Sequence, residues 1–218
     1  LKEAKKAYLE ALKVQRGLAK QNPNAYNHHV AITLSHLANL YMNNYQSREA
    51  KEAYLEALEI KRDLAKQNPS VYNSDVAMTL ISLANLYLTN NQLKEAKEAY
   101  LEALKIRRDL AKQNPSTYNS NVADTLNNLA ILYLTNNQLE EAKKACLGAL
   151  NLYRDLAKQN PSTYNFNVAD TLNNLVILFL TNNQSEEAGK AYLEALSLYK
   201  DLAKQNPSVY GIDYANTI

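Results

Sequence analysis

The chain is organised by a sequence period of 46 residues that runs along its whole length. Each repeat carries one proline, and a tyrosine follows that proline by three residues. A fixed period between about 20 and 50 residues is typical of repeat arrays, in which each unit buries its apolar face against its neighbours. The five prolines that mark the period are Pro23, Pro69, Pro115, Pro161 and Pro207.

The first part of each repeat has the pattern of an amphipathic helix. In the second complete repeat, the apolar residues between Val76 and Tyr87 recur at the spacing of a single helix face. Asp75 comes directly before them and is a suitable N-cap, as are Asn121 and Asn167 in later copies. The pattern predicts a first helix of about 14 residues that begins near the valine.

A longer amphipathic run fills the rest of the repeat. It extends from Leu93 to Leu110 and stops before Pro115, because proline disfavours helical geometry in the residue that precedes it. This run predicts a second helix of about 20 residues. The stretch 116–121 is then predicted to be a loop that leads into the next repeat.

The paired helices predict an all-α fold, an α-solenoid of antiparallel helical hairpins in a single array. Residues 1–26 are assigned to the second helix of a partial repeat, and residues 211–218 to the start of a further first helix. Because both ends cut through a repeat, we expect a fragment of a longer array, or ends that pack on other chains in a homo-oligomer. The full repeats are assigned to residues 27–72, 73–118, 119–164 and 165–210.

Charge and composition argue against several classes of function. The 24 basic side chains nearly balance the 22 acidic ones, so the chain lacks the strongly basic surface that binds nucleic acid or anionic membranes. No run approaches the roughly 20 apolar residues of a membrane helix, and no signal peptide opens the sequence. We therefore expect a cytoplasmic protein. The one cysteine, Cys146, stands where other copies carry tyrosine, and is interpreted as a buried substitute.

The sequence contains no pattern of a catalytic, metal or cofactor site. His28, His29 and His36 are close in sequence, but His29 and His36 would lie about 10 Å apart along a helix, too far for one ion. The four glycines are scattered instead of forming a phosphate-binding loop, and no nucleophile is paired with a histidine. We expect no enzymatic activity, metal or cofactor.

The repeats resemble a known family. The first helix carries a small residue and then an aromatic, and the second helix carries two alanines around another aromatic: Leu83, Ala84, Tyr87, Ala96, Tyr100 and Ala103. This pattern resembles the tetratricopeptide repeat, whose usual unit of roughly 34 residues is shorter than the one here. Val176, Phe179 and Cys146 depart from it. The run 125–133 is similar to kinesin light chain and its bacterial relatives, which also have stretched repeats.

The resemblance implies a right-handed superhelix whose first helices line a concave, peptide-binding groove. In kinesin light chain-like arrays, asparagines at the places of Asn128 and Asn174 contact extended peptides. The cations that other members use to clamp a terminal carboxylate are missing here. The candidate groove residues are Asn39, Met78, Ile81, Asn85, Asp124, Asn127, Asn128, Ile131, Asp170, Asn173, Asn174 and Ile177.

Two alternatives stay open for these side chains. The asparagine pairs 127–128 and 173–174 either bind a peptide backbone or hydrogen-bond between neighbouring repeats. Asp124 and Asp170 either favour a basic partner segment or are first-turn acids stabilised by the helix dipole.

The predicted function is a protein-interaction scaffold that binds an extended peptide or a partner helix in the groove. One alternative is a structural module whose chains stack head to tail. Another is the sensor segment of a larger regulatory protein. The sequence does not identify the partner.

Overall fold

The computed structural model describes residues 2–207 and 209, and within them the chain is helical with short turns and without strands. The end of the chain that was assigned to a further first helix, 211–218, lies outside the described residues. The helices of the described part are α1 (Lys2–Gln21), α2 (Pro23–Asn43), α3 (Ser47–Gln67), α4 (Pro69–Thr89), α5 (Leu93–Gln113), α6 (Pro115–Thr135), α7 (Leu139–Gln159), α8 (Pro161–Thr181) and α9 (Ser185–Gln205).

The helices fall into two compact units. Unit 1 is Leu1–Gln113 and unit 2 is Asn114–Ile218. In unit 1, α2 pairs with α3 and α4 with α5, while α1 packs on α2 and α3 packs on α4. In unit 2, α6 pairs with α7, α8 with α9, and α7 packs on α8. The predicted fold class, all-α helical hairpins of the α-solenoid type, is confirmed. The assignment of repeat boundaries and of a single array stays a prediction.

The core of the hairpins consists mainly of alanine and leucine at recurring places in the repeat, together with valine and aromatic side chains. In the second hairpin of unit 1, Ala84 on α4 and Ala103 on α5 are completely buried, and Leu83 is 2% exposed. An alanine has no side chain beyond Cβ, so the two helix backbones approach closely, while leucine fills the remaining space. The same residues bury the first hairpin of unit 2, where Ala130 and Ala149 are also completely buried.

The predicted start of the first helices is wrong. These helices begin at the prolines, not near the valines, and each has 21 residues instead of about 14. The N-cap of α4 is Asn68, not Asp75, and the stretch 116–121 is helical, not a loop. Proline suits the first position of a helix, where its missing N–H has no intrahelical partner. One asparagine therefore separates the end of each second helix from the next first helix.

The longer first helices overturn one interpretation of the two aspartates. Asp124 and Asp170 lie near the middle of α6 and α8, and neither helix has an acidic residue in its first turn. The helix dipole acts within the first and last turns. Helix-dipole stabilisation therefore does not account for these residues.

The turn inside each hairpin has a left-handed residue. Asn91, Asn137 and Asn183 have φ angles of 57°, 53° and 56°. Asparagine tolerates this region better than most residues because its short side chain bonds locally to the backbone. In the first hairpin of unit 1 the same place is taken by Tyr45, with φ of 56° and a side chain that is 96% exposed.

Candidate peptide-binding surface

The predicted groove residues lie on one face of the first helices in each unit, outside the alanine and leucine core. Several are apolar and yet open to solvent: Met78 is 55% exposed, Ile131 38% and Ile177 54%. Asn39, Asn85 and Asp124 are exposed as well, whereas Ile81, Asn127, Asn128, Asp170, Asn173 and Asn174 are half-buried.

In unit 1, two asparagines of this face are held by tyrosines of the second helices. The hydroxyl of Tyr54 donates to Asn39 Oδ1, and the hydroxyl of Tyr100 donates to Asn85 Oδ1. Tyr100 is 1% exposed, and burial raises the pKa of its phenol to about 12, so it stays protonated and keeps donating. Because each tyrosine occupies an amide oxygen, the amide nitrogen is the group turned to other partners. Within the described residues, neither Nδ2 group makes a hydrogen bond.

Unit 2 replaces this pairing in its first hairpin. Cys146 takes the place of the tyrosine and Ile131 takes the place of the asparagine, so donor and acceptor are lost together. Cys146 is completely buried, as predicted, and burial raises the pKa of its thiol to about 12. A thiol that stays protonated and inaccessible is a packing group and not a nucleophile.

Two candidate asparagines of unit 2, Asn127 and Asn174, hydrogen-bond between neighbouring repeats. Asn174 Nδ2 donates to Asn127 Oδ1 at 2.9 Å, and Asn127 Nδ2 donates to Asp170 Oδ2 at 3.2 Å, which joins α6 to α8. This is the stacking role that one of the two interpretations of the asparagine pairs describes. Asn128, also half-buried, makes no hydrogen bond among the described residues. Its role in peptide binding stays a prediction, as does that of the other candidate residues.

Tyrosines from the second helices support the same face of unit 2. The hydroxyl of Tyr153 donates to Asp124 Oδ1, and Asn173 Nδ2 donates to the hydroxyl oxygen of Tyr199 at 3.2 Å. Both tyrosines are buried, at 2% and 3% exposure. Burial, followed by the bond to Asp124, raises the pKa of Tyr153. Unit 2 therefore presents a carboxylate that is oriented by a phenol from behind.

The corresponding place in unit 1 holds a residue that the sequence analysis did not single out. Lys61 lies on α3 and is 6% exposed, and its Nζ reaches between α2 and α4. It donates to Ser35 Oγ at 2.9 Å and to Thr79 Oγ1 at 2.8 Å. In sequence Lys61 looks like one of the alternating charges of a solvated helix face. The available signal is that this repeat position varies along the chain, as Gln15, Lys61, Arg107, Tyr153 and Tyr199, and is the same only in the last two copies.

Lys61 lies in a cleft of unit 1 with a volume of about 380 Å³. The walls come from α2, α3 and α4 and combine polar with apolar side chains. Residues that line it include His28, Ile32, Ser35, Asp75, Met78 and Thr79. The candidate residues Asn39 and Met78 thus belong to this cleft.

The opposite face of the hairpins carries salt bridges between successive second helices. In unit 1, Arg16 pairs with Glu56 at 2.5 Å and Arg62 with Glu102 at 2.6 Å. In unit 2, Arg154 pairs with Glu194 at 2.6 Å. All of these side chains are 40% or more exposed, so each pair contributes at most about 1 kcal/mol. This face repeats one arrangement, whereas the candidate residues of the first-helix face differ between unit 1 and unit 2.

The three histidines of the first repeat lie beside aromatic rings. His36 stacks on Tyr8 with ring centroids 5.9 Å apart, and His28 lies 5.5 Å from the ring of Tyr72. Among the described residues, no three side chains of histidine, cysteine, aspartate or glutamate are grouped as metal ligands would be. In that same part of the chain, no helix has the length and apolar character needed to cross a membrane.

Helical hairpins with an open, variable face on their first helices define a helical-repeat protein of the scaffold type. The family model described as tetratricopeptide repeat matches residues 30–68, 76–115 and 122–161. The chain belongs to the tetratricopeptide repeat family, whose members are typically non-enzymatic scaffolds that bind other proteins. The resemblance stated from the sequence is confirmed.

Solved structures agree with this assignment. BtubC (BKLC) from P. vanneervenii is 24% identical, with a TM-score of 0.76 over 99% of this chain and 79% of its own. A putative kinesin light chain of Podosopora anserina, with nearly identical TPR-like repeats, is 20% identical, with a TM-score of 0.62 over 92% of this chain and 95% of its own. MamA is 17% identical, with a TM-score of 0.56 over 93% and 95%. At these identities the similarity shows the fold alone. A comparison with curated protein sequences finds no match.

Proposed function

We propose that this chain is a cytoplasmic, non-enzymatic interaction scaffold whose first-helix faces bind an extended peptide or a partner helix. The observation that carries the proposal is the exposure of large apolar side chains on those helices. Met78, Ile131 and Ile177 are each more than a third exposed, although they lie next to polar side chains that are ordered from behind. An apolar surface with fixed hydrogen-bonding groups suits a peptide ligand.

Asparagine supplies the directional part of this recognition. An extended peptide carries backbone carbonyl groups without partners, and an amide nitrogen donates to them. In unit 1 the tyrosines fix the orientation of Asn39 and Asn85, so the donor groups are preorganised. In unit 2, Asn128 is the candidate without a hydrogen bond in the described part of the chain. The near balance of 24 basic and 22 acidic side chains supports a protein ligand over a nucleic acid.

Substitution of a selected asparagine tests the proposal. Peptides selected from a random library against the purified chain would be titrated into wild type and Asn85→Asp by calorimetry. The aspartate keeps an acceptor for Tyr100 and removes the donor group. We expect affinity to fall about tenfold, since one hydrogen bond contributes roughly 1 kcal/mol or more. Asn128→Ala should weaken peptides that bind unit 2 by a similar factor.

Leu101→Ala is the matched control. Leu101 is 42% exposed on the second helix α5. It is therefore an apolar side chain about as exposed as Ile131, but it lies away from the proposed surface. Unchanged affinity in Leu101→Ala together with weakened binding in Asn85→Asp supports the proposal. The opposite pattern, or a library that yields no binding peptide, contradicts it.

A further inference from the structure

The cleft of unit 1 contains a buried cation without an acidic partner. Lys61 is only 6% exposed, and within the described residues its hydrogen bonds are two, both to hydroxyl oxygens. A buried ammonium is normally paired with a carboxylate, because desolvation of the charge is costly. Asp75 lines the same cleft and acts on Lys61 only through space, without a salt bridge.

The hydrogen bonds around Lys61 leave one of its N–H groups for a ligand. Ser35 Oγ donates its proton to the carbonyl oxygen of Ala31, and Thr79 Oγ1 donates to that of Asp75, both at 2.9 Å. Both hydroxyls can therefore only accept from Lys61. An ammonium has three protons, and these contacts use two. The arrangement holds the charged amine in one orientation at the base of the cleft.

The rest of the cleft suits one acidic side chain flanked by apolar groups. Ile32 and Met78 line it from the two first helices, and Met78 is 55% exposed. A single lysine matches a single carboxylate, and Asp75 disfavours a second one by like charge. In unit 2 the equivalent place has Tyr153, which already bonds to the carboxylate of Asp124. Unit 2 therefore supplies its own acid where unit 1 supplies a cation.

We propose that the Lys61 cleft is a specificity site that binds the carboxylate of an aspartate or glutamate side chain in a peptide ligand. The inference rests on the proposed function, since it names the residue class that the first-helix face of unit 1 selects. It differs from a clamp for a terminal carboxylate, because a single lysine of the second helix α3 supplies the charge and its Nζ reaches between α2 and α4. The ligand's acid completes the ion pair that the cleft lacks.

A positional-scanning library tests the proposal directly. Blocked nonapeptides, acetylated and amidated so that side chains supply the only carboxylates, would be scanned with each amino acid fixed in turn. We expect wild type to prefer aspartate or glutamate over the amides at one position by about tenfold or more, because hydrogen bonds to charged groups are strong. Lys61→Met should abolish the preference, whereas Lys105→Met, the same change at an exposed site on α5, should retain it.

Two results of the library overturn the proposal. One is a preference for acids that survives in Lys61→Met, and the other is no preference at all in wild type. A parallel library with free C-termini and no acidic side chains distinguishes the source of the carboxylate. If binding of the library with free C-termini depends on Lys61 as strongly as binding of the acidic side chains does, the cleft binds chain termini. That result contradicts the side-chain assignment.

A second measurement does not depend on peptide selection. The side-chain nitrogen resonance of Lys61 would be followed by NMR during titration with N-acetylglutamic acid α-amide, with N-acetylglutamine amide as control. A shift with the acid alone supports the site, and equal or absent shifts overturn it. Peptides that bind without an acid preference would leave the proposed function standing and end this inference. A Lys61 resonance that shifts with the acid alone, together with a library that yields no binding peptide, would support the carboxylate site and contradict the proposed function.

Discussion

The two units use one backbone arrangement to present different chemistry on their first helices. In unit 1, buried tyrosines orient Asn39 and Asn85, and Lys61 brings a positive charge between α2 and α4. In unit 2, Tyr153 occupies the repeat position that Lys61 has in unit 1, and its hydroxyl orients the carboxylate of Asp124. The alanines and leucines of the hairpin core are largely the same in both units, although Val176 replaces the alanine on α8.

The comparison separates two kinds of repeat position. Most core places keep alanine or leucine, because the helices of each hairpin approach closely there. Places on the first-helix face, and the second-helix residue directly behind them, change without altering the fold. A repeat protein can therefore vary its recognition chemistry while its packing stays fixed.

The largest expected effect is on the free energy of unfolding when equivalent buried residues are truncated, namely Tyr100 in unit 1 and Cys146 in unit 2. Tyr100→Ala removes a ring that is 1% exposed and also leaves Asn85 without its donor. We expect the free energy of unfolding to fall by about 3–5 kcal/mol. Cys146→Ala removes one sulfur atom and should cost about 1 kcal/mol. Urea denaturation would measure both, and equal losses would show that the two places are not packed as described.

Neutralising the buried lysine should raise stability. Lys61→Met keeps the length of the side chain and removes a charge that is desolvated, while Ser35 and Thr79 retain their bonds to backbone carbonyls. We expect the free energy of unfolding at neutral pH to increase by about 1 kcal/mol. Thermal and urea unfolding would measure the change. A loss of stability would show that the lysine is structural and that its cleft is not arranged for a ligand.

The difference between wild type and Lys61→Met should depend on pH. Burial lowers the pKa of Lys61 below its ordinary value of 10.5, and Asp75 opposes this shift. Between the folded and unfolded pKa values the unfolded chain binds more protons, so wild-type stability rises with pH relative to the variant. The penalty is complete below the folded pKa, and the gap between the two proteins narrows as pH approaches 10.5.

Other titratable groups line the cleft beside Lys61. They are His28 and His36 on α2, Asp75 on α4 and Tyr54 on α3, and all are present in both proteins, so the substitution removes the Lys61 ammonium alone. A gap that stays constant or widens from pH 7 to pH 10 would contradict the buried position of the ammonium.

The smallest effect is expected at the hairpin turns. Tyr45 adopts a left-handed backbone where the other turns have asparagine, and its side chain is 96% exposed, so it loses no packing on substitution. Tyr45→Asn should raise the free energy of unfolding by about 0.5–1 kcal/mol, because asparagine tolerates this region better. The reverse change at an equivalent turn, Asn91→Tyr, should lower it by a similar amount. Opposite signs would contradict the turn geometry.

The sequence was sufficient to predict the helical hairpins and their family. The 46-residue period and the fixed alanines determined the repeat, and the second helices end where the prolines indicated. The predicted start of the first helices was wrong because each proline marks the end of one helix and is also the first residue of the next. An Asn-Pro pair is compatible both with a loop of several residues and with a single linking residue, so the sequence does not distinguish the two.

The site was less predictable because its polar contacts join residues far apart in the chain. The pairing of Tyr100 with Asn85 had a signal in the joint replacement by Cys146 and Ile131, although Tyr192 is retained opposite Ile177. Lys61 was hidden among lysines and glutamates that alternate on the second helices. Which lysine turns inward depends on the helix rotation relative to two neighbouring repeats, and no local pattern fixes that rotation.

The central claim is that partners bind the first-helix faces and not the second-helix faces. Both faces expose apolar side chains, such as Met78 on α4 and Leu55 on α3, at 55% and 42% exposure. Backbone amide chemical shifts, recorded by NMR while a selected peptide is added, distinguish the two. We expect the largest changes along the first helices, at residues around Met78, Asn85 or Asn128. Changes concentrated at Leu55 and its equivalents on the second helices would contradict the account.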